Sequence, residues 1–190
     1  RVPVENTALF QRSLWLFFCC LIRDISVHLE YLKAGMEATE AEIQNFTNQT
    51  PDLKAKQELL VSIPGVGKKT SARLLAEIGE INRFENAPQL AAYAGLNPKG
   101  FSSGSSVHKK TRISKQGRSE LRACLYMPAI VAMTHNPVVR ALKERLQKKQ
   151  LPTMAIIAAC MRKLLHIVYG VLKSQMPFDP DYDRQFNFSS

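Results

Sequence analysis

The sequence has little that would serve a metal, a disulfide or a membrane. Its four cysteines, Cys19, Cys20, Cys124 and Cys160, include no CxxC pair. Adjacent cysteines do not readily bridge each other, so all four read as small buried apolar residues in a reducing cytosol. The histidines, His28, His108, His135 and His166, are scattered without metal-ligand spacing, and no metal site is expected. Asp179, Asp181 and Asp183 alternate, but between and beside prolines at the end of the sequence they make a poor ligand set. The longest apolar run, Leu14 to Ile22, is nine residues, about half of the roughly 20 that span a bilayer. No small-residue cleavage pattern follows it, so neither a signal peptide nor a membrane partner is expected. Acidic residues are also scarce, with 16 Asp and Glu against 26 Lys and Arg. A net charge of +10 makes a polyanion the first partner to consider, and the unpaired cysteines make the cytoplasm the expected location.

What is present suits a folded domain: 190 residues, 45% apolar and 22% charged. Trp15, Phe18, Ile22, Ile25, Leu29, Leu32, Met36, Thr39, Ile43 and Phe46 follow one another at alternating spacings of three and four. Nine of these ten are apolar, the a/d seam of a coiled coil. The pattern also fits an amphipathic helix folded back on its own domain. A self-pairing stalk is favoured, because Leu14, Leu16 and Phe17 add apolar surface beyond one seam. Residues 1–49 are therefore read as a coiled-coil oligomerisation helix, which makes the protein a homo-oligomer.

Thr50-Pro51 starts the next helix, and residues 50–176 read as a helical domain. Within it, helices are expected to Val61, from the Pro-Gly-x-Gly turn to Ile78, and over Glu85 to Leu96. Residues 97–113 are rich in Gly, Ser and Lys and read as a loop. Ser114 then caps a basic helix over 114–134, kinked at Pro128. Asn136-Pro137 precedes another basic helix, and Pro152 opens the last, to about Lys173. Residues 177–190 read as a flexible tail. Strand signals are sparse, so the fold class is all-α.

Ser62 to Gly79, SIPGVGKKTSARLLAEIG, resembles a helix-hairpin-helix DNA-binding motif at residues 52–79. Gly65 and Gly67 would let the backbone approach a phosphate at the positive end of the second helix, where Lys68 and Lys69 add charge. A tight hairpin with no ligand is the structural alternative. A nucleotide-binding P-loop fails on spacing, because the residue after Lys68 is Lys69 and no apolar strand precedes the loop. The second constellation is Lys109, Lys110, Arg112, Lys115, Arg118 and Arg122, opposed only by Glu120. Spacings of three and four would put Lys115, Arg118 and Arg122 on one helix face as a phosphate clamp. Arg140, Lys143, Arg145, Lys148 and Lys149 form a third, less specific basic patch.

AAYAGLNP, FSSGSSVHKKTRISKQGRSELRACLYMPAIVAMTHNP and MRKLLHIVYGVLKSQMPFDP resemble the C-terminal domain of one insertion-sequence transposase family. It is the family of the one-ten, one-sixteen and nine-oh-two elements. The resemblance spans roughly residues 50 to 180, and the preceding helix is similar to that family's coiled-coil connector. It implies a recombinase that performs DNA strand exchange, with DNA and a structured guide RNA as partners. It also implies a nucleophilic serine in the 97–113 loop, for which Ser103, before Gly104, is the matching residue. Ser102, Ser105 and Ser106 are its neighbours. Magnesium is implied through a nuclease-like domain of the Holliday-junction-resolvase fold that lies outside this sequence, so this stretch alone is expected to be inactive. Two other classes remain: a non-enzymatic helix-hairpin-helix DNA-binding module, and a helical RNA-binding or assembly protein.

Overall fold

The computed structural model describes residues 5–103, 107–114 and 116–181, with side chains for residues 15, 17–99, 113, 114 and 116–181. Helices dominate, as the sequence leads one to expect. The chain divides into two compact units, Arg1–Phe46 and Thr47–Ser190.

The first unit is almost wholly one helix, α1, Glu5–Gln49. Gly35 does not interrupt it, and nothing lies within 4 Å of that glycine's missing side chain. Trp15, Phe18, Ile22, Ile25, Leu29, Leu32, Met36, Ile43 and Phe46 are all exposed along it. Cys19 and Cys20 are exposed too, against the expectation that all four cysteines are buried. A long helix on its own has no second element to cover an apolar residue, so both cysteines stay in solvent with the seam.

The second unit begins with α2, Pro51–Val61, and α3, Lys68–Ile78. A 3-10 turn, Ile81–Arg83, and a short helix, α4, Ala87–Tyr93, follow. The next elements are strands β1, Pro98–Ser103, and β2, Val107–Ile113. Three helices complete it: α5 (Ser119–His135), α6 (Pro137–Lys148) and α7 (Thr153–Ser174). Proline sits in the first turn of α2, α4 and α6, where its missing N–H forgoes no helical bond. Asn86 and Asn136 cap α4 and α6 with their side-chain oxygens.

The core forms around α7. Ile156, Ile157, Cys160, Met161, Leu164, Leu165, Val168, Val171 and Leu172 are buried along it, and α5, α4, α6 and α2 pack against it. α7 has the length and composition to cross a membrane, but those apolar residues meet protein. Tyr169 donates its hydroxyl to the carbonyls of Phe84 and Glu85, fastening α7 to the link before α4. α5 continues through Pro128, which is buried. Where a wholly flexible tail is expected from residue 177, Phe178 packs on the core and its N–H donates to Ser62 Oγ at 2.8 Å. Residues 182–190 lie outside the described ones.

Burial pushes the Cys160 thiol up to about 11 and the Cys124 thiol above its ordinary value. Both therefore stay protonated, and the thiolate that a labelling reagent needs is scarce. Maleimide labelling of native protein at pH 8 should spare Cys124 and Cys160, and unfolding should release both. Rapid labelling of either in the native state contradicts this packing.

Candidate nucleic-acid interface

The turn joining α2 to α3 is built by its own sequence. Val66 N–H donates to the Ile63 carbonyl at 3.0 Å, with Pro64 and Gly65 between them and Gly65 at φ +103°. Pro-Gly at the two central positions is what a type II turn selects. Ile63 and Val66 are buried and anchor it. Gly65 has a role other than the expected one. A side chain there would meet the Ala132 backbone and Cβ of α5 at 2.9 Å, so the glycine serves close packing. Gly67 is different: it is exposed, caps α3 and would leave an added Cβ with nothing within 4 Å. Lys68 and Lys69, the first residues of α3, are exposed beside it.

The segment 97–113 is an antiparallel hairpin and not the loop its composition suggests. Pro98 pairs with Ile113, Lys99 with Arg112, Phe101 with Lys109, Ser102 with His108 and Ser103 with Val107, with an irregularity between Lys99 and Phe101. Its strands carry too few apolar residues for a period-2 signal, yet Val107, Thr111 and Ile113 are good strand formers. Ser103 is the last residue of β1, about 17 Å along the strand from Pro98. Lys109, Lys110 and Arg112 lie on the returning strand. Gly104, Ser105, Ser106 and Lys115 fall outside the described residues.

The hairpin base is held by contacts that sequence reasoning missed. Ser114 N–H donates to the Asn97 carbonyl and Arg118 N–H to the Tyr93 carbonyl, both at 2.8 Å. Between them, Gly117 at φ +151° passes so close to α4 that a Cβ would stand 2.3 Å from Tyr93 O and 2.7 Å from Gly95 N. This crossing delays α5 until Ser119, with Arg118 as its uncapped N-cap, so the basic helix expected from Ser114 does not form there. Arg118 therefore precedes the helix that carries Arg122, and the expected three-residue helix face is not formed by these two. Arg118 Nη1 donates to the Tyr93 hydroxyl at 3.1 Å, and its Nε lies 3.6 Å from Glu77 Oε2. The Tyr93 hydroxyl first, and then the Glu77 carboxylate, raise the Arg118 pKa. Glu77 Oε2 is buried without a hydrogen bond, so this ion pair is what compensates it. Arg122 Nη1 donates to the Ala94 carbonyl at 3.0 Å. Both arginines thus tie α5 to the ends of α3 and α4. Gly117 was the available signal, a breaker inside a stretch otherwise read as helix.

Residues 57–144 match the family model described as Transposase IS116/IS110/IS902 family. By this segment the chain belongs to that transposase family. It is 43% identical over 139 residues to the pilin gene-inverting protein of Moraxella bovis, an alignment covering 73% of this chain and 43% of that protein. An IS110 protein of Streptomyces coelicolor is 30% identical over 60% of this chain and 28% of its own length. The transposase for insertion sequence element IS1111A of Coxiella burnetii is 36% identical over 50% and 24% respectively. The chain spans less than half the length of these relatives.

Within the transposase-family segment, the described elements run from Gln57 in α2 to Glu144 in α6. It thus takes in the turn, α3, the hairpin and α5. The basic positions fall into two groups at opposite ends of α3, an 11-residue helix that separates them by about 15 Å. Gly67, Lys68 and Lys69 stand at its start; Glu77, at its end, meets Arg118 under the hairpin. Among the described residues, no three His, Cys, Asp or Glu side chains gather as a metal site would need. The described residues therefore do not fit a magnesium centre.

Proposed function

We propose that this chain is the DNA-handling, serine-bearing part of a transposase that performs DNA strand exchange under the guidance of a structured RNA. One observation supports it above the others: Ser103 ends a strand that projects about 17 Å from a base locked by Gly117 and Arg118, with Lys109, Lys110 and Arg112 on the return strand. A projecting hairpin delivers a nucleophile to a substrate too large to enter a cleft. The name of the Moraxella relative, a pilin gene-inverting protein, describes a rearrangement that strand exchange achieves.

In the proposed step Ser103 Oγ attacks a phosphodiester phosphorus. An O–P bond forms and one bridging P–O bond breaks, and the serine proton ends on the departing sugar hydroxyl. The phosphoserine keeps the ester bond, so reversal onto a second DNA end needs no nucleotide cofactor. Charge gathering on the non-bridging oxygens needs cations, and Lys109, two residues along β2 from Val107, the partner of Ser103, is the lysine or arginine of that strand nearest in register. The family resemblance implies magnesium, held by a nuclease-like domain. The test is mass spectrometry of the DNA adduct trapped in the whole transposase with its RNA and magnesium: the nucleotide remnant should map to Ser103, and a remnant on another residue refutes the assignment.

The same reading makes α1 a stalk between protomers. Its seam residues, Trp15 at 74% exposure foremost, present an apolar stripe that water disfavours. Light scattering should find an oligomer at micromolar concentration, and Ile25→Glu with Leu32→Glu should convert it to monomer. A wild-type monomer, or an assembly indifferent to both changes, rejects the stalk.

A further inference from the structure

We infer that α6 carries a second surface for the DNA phosphate backbone, continuing round the α5–α6 corner from the α2–α3 turn. The inference rests on the reading above that this chain handles DNA. Arg140, Arg145, Lys148 and Lys149 are exposed and Lys143 is half-buried, while Glu144 is the only acid among them. None of the five forms an ion pair with a described residue. The opposite face of the helix explains this outward display. Val139 is buried and Leu142 and Leu146 pack on the core, which leaves Arg140, Arg145, Lys148 and Lys149 exposed.

Folding accounts for part of this charge and not for the rest. Arg145 and Lys148 stand in the last turn, where the helix dipole favours a cation. Arg140 stands at the other end, where its N–H makes the first helical bond to the Asn136 carbonyl. A positive side chain there is disfavoured by the same dipole. α3 repeats the arrangement, with Lys68 and Lys69 at its start and no acid in the first turn of either helix. Local electrostatic conflict of this kind marks positions kept for binding, and an external polyanion would relieve both at once.

The fold brings the two together. Gly65 lies against Ala132, and the Ala132 carbonyl accepts the N–H of Asn136, the cap of α6, at 2.9 Å. From that contact Lys68 is three residues away in one direction. Arg140 is eight residues away in the other, at most about 16 Å, because Asn136 is extended between the two helices. That distance corresponds to only a few phosphates of one DNA strand, at about 3.4 Å of axis each. Beyond Arg140, the exposed cations continue along α6 to Lys149.

The experiment measures how the affinity of the whole chain for a labelled DNA duplex falls with salt. The quadruple change Arg140→Ala, Arg145→Ala, Lys148→Ala, Lys149→Ala should flatten the log–log slope by about two to three units, at about 0.9 per phosphate contact, and weaken binding tenfold or more. A control, Arg23→Ala, Lys33→Ala, Lys54→Ala, Lys173→Ala, removes equal charge elsewhere and should move the slope by less than one unit. An unchanged slope in the α6 variant, with a native circular dichroism spectrum, overturns the proposal. So does an equal loss in the control, which would reduce the effect to net charge. So does a loss confined to a structured RNA of matched length, which would make α6 an RNA surface. Lys68→Ala with Lys69→Ala separates the two readings. If it leaves the slope intact while the α6 variant flattens it, α6 stands and the turn does not bind DNA. The reverse result removes α6 and keeps the turn.

Discussion

Gly117→Ala is expected to lower the melting temperature of this chain by about 10 °C. A methyl group at that position would stand 2.3 Å from one backbone atom and 2.7 Å from another. Neither can rotate aside as a side chain would. The φ of +151° is itself a conformation that residues with a Cβ rarely adopt, so the chain must shift or α4 and α5 must part. Backbone strain and overpacking each contribute about 1–3 kcal/mol, and about 3 kcal/mol together corresponds to roughly 10 °C in a unit of this size. Gly170→Ala is the matched control. It lies in α7 with nothing within 4 Å of the added methyl, and helix propensity alone should stabilise it by about 0.5–1 kcal/mol. Thermal unfolding followed by circular dichroism should move the two variants in opposite directions. Equal melting temperatures would show that Gly117 is not under the constraint described.

The contrast between the two glycines also marks what could be read from the sequence. Helices with strong signals were legible: Pro-Gly for the turn at 64–65, Asn-Pro for the cap of α6, the long three-four spacing of α1. Each of these rests on chemistry local to a few residues. The hairpin was not, because its strands are polar and carry no apolar alternation. Pairing between residues up to fifteen apart, as between Pro98 and Ile113, decides it. The start of α5 failed for a related reason. Ser114 is a good N-cap in isolation, but its N–H is engaged by Asn97, a partner seventeen residues earlier. Gly65 shows the same limit in function, since a glycine that admits a phosphate and one that admits a helix look alike in sequence. Only Ala132 on the far side tells them apart.

These long-range contacts change how the basic residues must be weighed. Arg118 and Arg122 gave the sharpest charge pattern in sequence, yet both engage the protein: Arg118 with Tyr93 and Glu77, Arg122 with the Ala94 carbonyl. Their removal would loosen the hairpin base before it altered any phosphate contact. The lysines at the start of α3 and the cations of α6 have a weaker pattern in sequence and a clearer surface in the fold.

Ser103→Ala should have the largest functional effect of any single change in this chain. In the whole protein, assembled with the RNA and magnesium proposed for it, strand exchange should fall about 10⁴-fold or more, the scale seen when a nucleophile is deleted from a covalent mechanism. The expectation depends on the position of the residue as much as on its chemistry. A serine hydroxyl is a weak nucleophile until a base or a strongly polarised site activates it, and the described residues assemble no such site around β1. Ser103 instead ends its strand at the far end of the hairpin, in register with Val107, where a second domain closing on DNA could complete the chemistry. Such a composite site would leave an isolated subunit unable to cut. DNA and RNA binding should stay within a few-fold of normal, because the phosphate contacts proposed for α3 and α6 do not involve this residue. Ser102→Ala, Ser105→Ala and Ser106→Ala should each retain exchange, since loss of a neighbouring hydroxyl leaves the attacking one in place. Gel-resolved recombination products and filter binding, measured on the same preparations, separate the two effects. Exchange that survives Ser103→Ala, or that is lost only together with binding, would remove Ser103 from the chemical step.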